Sequence, residues 1–241
     1  MLKITNLKVK VEEKEVLKGL DFVVNDGEVV ALMGPNGSGK SSLANTIIGN
    51  PKYEVTSGEV NFNGKNILEL SPDERARERI LMAFQYPVAL PGITVREMLL
   101  SSLRLRGEKT SALDLKNNIK SEAEKLHIDE NLLNRSLNDG FSGGEKKKFE
   151  MLQVAVLKPK LLILDEIDSG LDIDALEIIA KRVNEQNKEN LMSVLVITHY
   201  QRLLKYLKPD RVVVLKEGQK VDEGGKELVE KLENNGYKIY E

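Results

Sequence analysis

"EVVALMGPNGSGKSSLANTIIG", residues 28–49, holds three signals in one unbroken run. Glu28 to Met33 is a compact apolar stretch suited to a buried parallel strand. A glycine-rich loop follows, and Lys40 to Gly49 then carries a helical pattern that stops at a glycine. Gly34-Pro35-Asn36-Gly37-Ser38-Gly39-Lys40-Ser41 fits G-x-x-x-x-G-K-[ST], and Ser42 completes the loop. The glycines let the backbone curl until successive N–H groups aim at one anion, and the helix adds its positive N-terminal end. Lys40 would reach β- and γ-phosphates, and Ser41 would offer its hydroxyl to Mg²⁺. The loop specifies a ligand but no purpose. Kinases, GTPases, helicases and transport ATPases all use it.

Size and composition narrow the field. The chain has 241 residues, enough for one large α/β domain or for one domain with an inserted lobe. Apolar residues make up 41% and charged residues 31%, a globular balance. The net charge of -2 supplies no field that would draw the chain to nucleic acid or an anionic membrane. Lys146, Lys147 and Lys148 are the only tight basic run, expected as a solvated helix face. With no cysteine, neither disulfides nor thiolate-bound zinc or iron–sulfur clusters can form within the chain. The start, "MLKITNLKVKV", alternates like a strand and lacks a signal peptide's apolar core. The runs "VVALM", "LLIL" and "SVLVI" are too short to span a bilayer. The expectation is a cytoplasmic protein with no direct membrane insertion.

Outward from the loop, "LKITNLKVKV", "EVLKGLDFVV" and "GEVNFNG" show period-two patterning, with turns at Asn25-Asp26-Gly27 and Asn63-Gly64. Over residues 94–137 the strand signals vanish, and Val95, Met98, Leu99, Ser102 and Leu103 recur at helical spacing. "LLILD", "SVLVIT" and "RVVVL" restore strands, followed by a turn at Glu217-Gly218 and a helix over about 225–235. The expected architecture is α/β: a parallel-sheet core with an antiparallel β edge (residues 1–90 and 158–241) and an inserted helical subdomain (residues 91–157).

Three side-chain sets fall at the carboxyl edge of that sheet, where open α/β sheets bind ligands. Asp165 and Glu166 end "LLILDE"; the first suits a Mg²⁺ partner and the second could polarise an attacking water. Gln85 follows "ILMAF" and could reach both metal and water. His199 follows "SVLVIT" and could hydrogen-bond a γ-phosphate. His127, in "EAEKLHID", is read as a surface helix residue. A second anion-binding device stands apart from these. Ser142 is a natural N-cap for the helical run after it, and Gly143 and Gly144 leave backbone N–H groups bare.

Together these elements resemble the ABC ATPase family. "GPNGSGKS" is similar to its Walker A, "FSGGE" (Phe141 to Glu145) to its signature, and "LLILDE" to its Walker B. Gln85 corresponds to its Q-loop, "SGLD" (Ser169 to Asp172) to its D-loop and His199 to its switch histidine, in matching order over nearly the whole chain. The resemblance implies a P-loop ATPase with a RecA-like core that hydrolyses ATP with Mg²⁺. It also implies a transient ATP-dependent homodimer, head to tail. Each nucleotide would lie between one copy's Walker A and the other's Ser142, Gly143, Gly144 and Glu145. Catalysis would fall to Glu166, His199 and Gln85, and metal binding to Ser41, Gln85 and Asp165. The family commonly stacks adenine on an aromatic near the start of the chain. "KVKVEEKEVL" offers none, with Val11 the nearest candidate, which leaves selection of ATP over GTP without that contact.

"LDEIDSGLDIDAL", "FQYPVALPGITV" and "VITHYQRLL" resemble the SUF branch of the family, which implies iron–sulfur cluster assembly on SufB/SufD-like scaffold subunits. Tyr86, Pro87, Val88, Leu90, Pro91 and Ile93 either form a groove for a partner helix or pack the helical lobe onto the core. The alternative within the family is the nucleotide-binding subunit of a membrane importer. Intact Lys40, Asp165, Glu166 and His199 argue against a non-catalytic clamp.

Overall fold

Alternating apolar and charged residues build two long strands at the start of the chain, β1 (Leu2–Val11) and β2 (Lys14–Val24). The computed structural model describes residues 1–169, 171–198 and 201–240. Its other strands are β3 (Val29–Met33), β4 (Glu54–Phe62), β5 (Lys65–Asn66), β6 (Ile80–Ala83), β7 (Leu90–Thr94), β8 (Ser136–Leu137), β9 (Leu161–Asp165), β10 (Ser193–Ile197), β11 (Arg211–Lys216) and β12 (Gln219–Gly224). Its helices are α1 (Lys40–Ile48), α2 (Pro72–Arg77), α3 (Val95–Leu105), α4 (Ala112–Lys125), α5 (Gly143–Leu157), α6 (Ile173–Asn190), α7 (Gln201–Leu207) and α8 (Lys226–Asn235).

One sheet runs β2-β1-β4-β5 and is antiparallel; the central sheet runs β12-β11-β3-β10-β9-β6. All pairings of the central sheet are parallel except that of β12. Both its faces are covered, which explains the unbroken apolar runs. Val30, Leu32, Leu161, Ile163, Leu195 and Ile197 pack with α1 and the antiparallel sheet. Val29, Ala31, Leu162, Leu164, Val194 and Val196 point the other way, into a core shared with α3 to α6. A one-residue slip in any strand would exchange the two sets.

The segment between β6 and β9 is dominated by α3, α4 and α5. Capping boxes start α3 and α5, Thr94 with Glu97 and Ser142 with Glu145. His127 is exposed but lies just past the end of α4, in a turn with φ 52°, rather than in a helix. The sequence signals miss β12, which closes the sheet as an antiparallel edge, and α2, a single capped turn and a half.

Candidate functional site

Register fixes where the strand ends meet. Ala83 pairs with Leu164, and Asp165 with Ile197. Residues following β3, β6, β9 and β10 therefore converge at one edge of the central sheet.

The phosphate loop rises from β3, the strand between β10 and β11. Gly34 has φ 151°, and a Cβ there would lie 2.2 Å from the Leu215 carbonyl oxygen and 2.7 Å from Ser38 Oγ. Gly39, at φ 104°, precedes α1; a Cβ on it would press to 2.9 Å on the Val16 carbonyl oxygen. Only glycine fits either position. Asn36 and Gly37 form the exposed tip, and a side chain at Gly37 would meet nothing within 4 Å. Lys40 is buried, its Nζ donating to the carbonyls of Gly34 (2.8 Å) and Pro35 (3.0 Å). Burial lowers its pKa, against the raising pull of Glu166 and Asp165. Ser38 Oγ is buried without a partner. The Ser42 carbonyl accepts from Thr46 Oγ1 at 2.8 Å.

Ser41 Oγ donates to Asp165 Oδ1 at 3.0 Å. Asp165 is buried, and desolvation raises its carboxyl above the usual range. Its neighbour Glu166 takes φ 47°, rare for a residue with a side chain, and its N–H donates to Ile197 O at 2.9 Å. That backbone turn sends consecutive carboxylates to different partners. Gln85 Nε2 donates to Glu166 Oε2 at 3.0 Å. Thr198 Oγ1 donates to Asp168 Oδ2 at 2.8 Å. Asp172 caps α6, accepting from Ala175 N at 2.7 Å. His199 and Gly170 lie outside the described residues.

Ser142, Gly143 and Gly144 start α5 elsewhere. Glu145 Oε2 accepts from Ser142 N at 2.7 Å, which holds its carboxylate below the usual range. A Cβ on Gly143 or Gly144 would meet nothing within 4 Å. Ser142, Gly144 and Glu145 line a groove of about 440 Å³ with His127, Asp172 and Asp174, and no residue of the phosphate loop lines it.

Lys147 departs from its expected place on a solvated face. It is 3% exposed, because it lies on the side of α5 turned toward β6. Its Nζ donates to the Phe84 carbonyl and pairs with Glu150 Oε2 at 3.1 Å. Glu150 Oε1 in turn accepts from Phe84 N at 2.8 Å. Burial lowers the lysine's pKa and raises the glutamate's. The pair thus grips both peptide groups of the residue before Gln85. The i, i+3 spacing of Lys147 and Glu150 was visible in the sequence; their target was not.

The residues present fit Mg-ATP. A hydroxyl and a carboxylate in contact form a hard-oxygen pair suited to Mg²⁺. Lys40 beside an uncrowded glycine tip suits phosphate. Fold and site together are those of a nucleotide-hydrolysing cassette. Residues 17–169 match the family model described as ABC transporter, and the chain belongs to that family. It is an ABC-type ATPase that hydrolyses ATP and uses Mg²⁺.

Among similar proteins is the "Probable ATP-dependent transporter SufC" of Escherichia coli (strain K12), 50% identical over 242 residues, 98% of this chain and 97% of that one. The "Probable ATP-dependent transporter ycf16" of Cyanophora paradoxa is 46% identical, covering 98% and 93%. Among solved structures, the dimeric MJ0796 cassette superposes with a TM-score of 0.80 at 25% identity, covering 93% of this chain and 98% of that one. A nucleotide-free cassette gives 0.79 at 27%, covering 100% and 98%.

Proposed function

We propose that this ATPase powers iron–sulfur cluster assembly by moving soluble SufB/SufD-type scaffold subunits, and that two copies must close on ATP to do so. The observation that carries the assignment is the 50% identity to SufC along nearly the full length of both chains. Fold-level likeness alone would not select among cassettes. With no cysteine, this chain leaves thiolate ligation of a cluster to its partners.

In the proposed reaction the loop from Gly34 to Ser42 wraps the β-phosphate, with the backbone N–H groups after Pro35 donating to it. Lys40 turns from its two carbonyls toward the β- and γ-oxygens. Ser41 and Asp165 would hold Mg²⁺, with Gln85 as a further oxygen ligand. When bound, the ion would offset negative charge on the phosphate oxygens. Glu166 orients a water and accepts its proton as oxygen attacks the γ-phosphorus and the bond to ADP breaks. Gln85 already touches that carboxylate, so it can position it. His199 is assigned to the γ-phosphate as the ATPase family resemblance implies. Ser142, Gly143, Gly144 and Glu145 act on the other copy's nucleotide, supported by their separation from this chain's own loop. Closure moves whatever is docked, and hydrolysis reopens the pair.

The docking face follows Gln85. Tyr86 (78% exposed) and Val88 (72%) stand out beside a cleft of about 200 Å³ whose lining includes Pro87, Leu90 and Met98. Asn138 Nδ2 donates to Val88 O at 2.9 Å, while its buried Oδ1 has no partner. The inserted segment 91–157 would carry this face with it as it rotates. Among the described residues no helix is long and apolar enough to cross a membrane.

Affinity purification of the tagged chain from both soluble and membrane fractions tests the assignment. Soluble SufB/SufD-like chains are expected to copurify. Recovery with multi-span membrane subunits alone would replace it with the importer reading.

A further inference from the structure

Tyr237 stands 203 positions from Gly34 in sequence, yet its hydroxyl oxygen accepts the Gly34 N–H at 3.1 Å. The geometry points to Tyr237 as a positioning residue for nucleotide binding, its hydroxyl holding the first peptide group of the phosphate loop while Lys40 exchanges backbone carbonyls for phosphate. Gly34 is restrained from both sides: its carbonyl accepts from Lys40, and its N–H donates to Tyr237. Nucleotide binding loosens the first restraint, because two of the three Lys40 N–H donors serve carbonyls before phosphate arrives. The second stays.

The C-terminal segment is built to stay. Gly236, at φ 64°, ends α8 and turns the chain into a short helical turn over Gly236–Tyr240. Tyr240 Oη donates to Asp222 Oδ2 at 2.7 Å, and Lys216 Nζ donates to the Tyr240 carbonyl at 2.7 Å. Lys231 Nζ lies 5.7 Å from the Tyr240 ring centroid. Both anchors sit on the β11–β12 hairpin, and β11 also supplies Leu215, whose carbonyl crowds Gly34. The strap and the loop therefore share one support. Burial raises the Tyr237 phenol's pKa, so the hydroxyl stays neutral at pH 7.

The test is Tyr237→Phe in the full chain, titrated calorimetrically with Mg-ADP and Mg-ATP. Both dissociation constants are expected to weaken about five- to tenfold, the range of a hydrogen bond whose loss leaves a buried amide unpaired. In turnover KM should rise with kcat unchanged, because ground and transition states lose the same contact. Affinities and KM equal to the parent's, however far the unfolding temperature falls, would overturn the proposal and leave Tyr237 as packing only. Should the variant not fold, amide exchange on the unmodified chain decides instead. The Gly34 amide and residues 236–240 should be protected together, with the tail's protection retained in Mg-ADP. A tail exchanging freely while the Gly34 amide stays protected would overturn it.

Discussion

Replacing Lys147 by Met should destabilise the chain far more than a lysine in a basic run ordinarily would. Glu150 has a side chain 8% exposed, and the Lys147 ammonium lies 3.1 Å away. At that distance, an effective dielectric of about 20 puts the attraction near 5 kcal/mol before desolvation. Breaking a buried pair by removing one partner costs about 3–5 kcal/mol. For a chain of this size that is a fall of roughly 6–20 °C in unfolding temperature. The deficit has a pH dependence of defined sign. Burial already raises the Glu150 carboxyl, and losing Lys147 raises it further. A folded-state pKa above the unfolded one destabilises at high pH, and the penalty is relieved as pH falls through the folded value. The gap between variant and parent should therefore shrink from pH 8 to pH 5.5. Lys147→Met with Glu150→Leu should recover part of the loss, though not the Phe84 amide that loses its acceptor. Urea unfolding at several pH values measures all of this. A deficit under about 1 kcal/mol at pH 8, or one that widens on acidification, would refute the reasoning.

Three further outcomes are expected. Glu166→Gln should keep ATP affinity and lose turnover by two orders of magnitude or more, read by phosphate release with partners present; unchanged hydrolysis would remove Glu166 from proton acceptance. Lys40→Ala should abolish measurable Mg-ATP binding by calorimetry, and normal binding would discredit the assignment of the loop. Burial raises Asp165, and Mg²⁺ needs its carboxylate form, so Mg-ATP affinity should begin to fall above the pH where an ordinary aspartate protonates. Higher Mg²⁺ should shift that limb to lower pH, and a limb indifferent to Mg²⁺ would contradict the assignment.

The parts of the fold legible in the sequence are those written in local pattern. Period-two stretches mark β1, β2 and β4, apolar runs mark β3, β9, β10 and β11, and Gly49 marks the end of α1. β12 escapes because "QKVDEG" has almost no apolar content and is held as a strand by β11 beside it. The site divides in the same way. The phosphate loop and the strand-end acids are contiguous strings, so their residue types announce the chemistry. Gln85 reaching Glu166, Lys147 turned inward and Tyr237 at Gly34 are products of tertiary packing. For Lys147 the local signal pointed the wrong way, since three consecutive lysines read as solvated until α5 is laid against β6.

The proposed function rests on two half-sites that a second copy completes. The chain contains no cysteine, so introduced thiols report without background. Chains carrying Asn36→Cys, at the exposed loop tip, are mixed with chains carrying Ser142→Cys, both also Glu166→Gln, and treated with a short bismaleimide. A crosslinked heterodimer is expected that forms with Mg-ATP and is lost with ADP or without nucleotide. Equal crosslinking in all three conditions, or none in any, would contradict it.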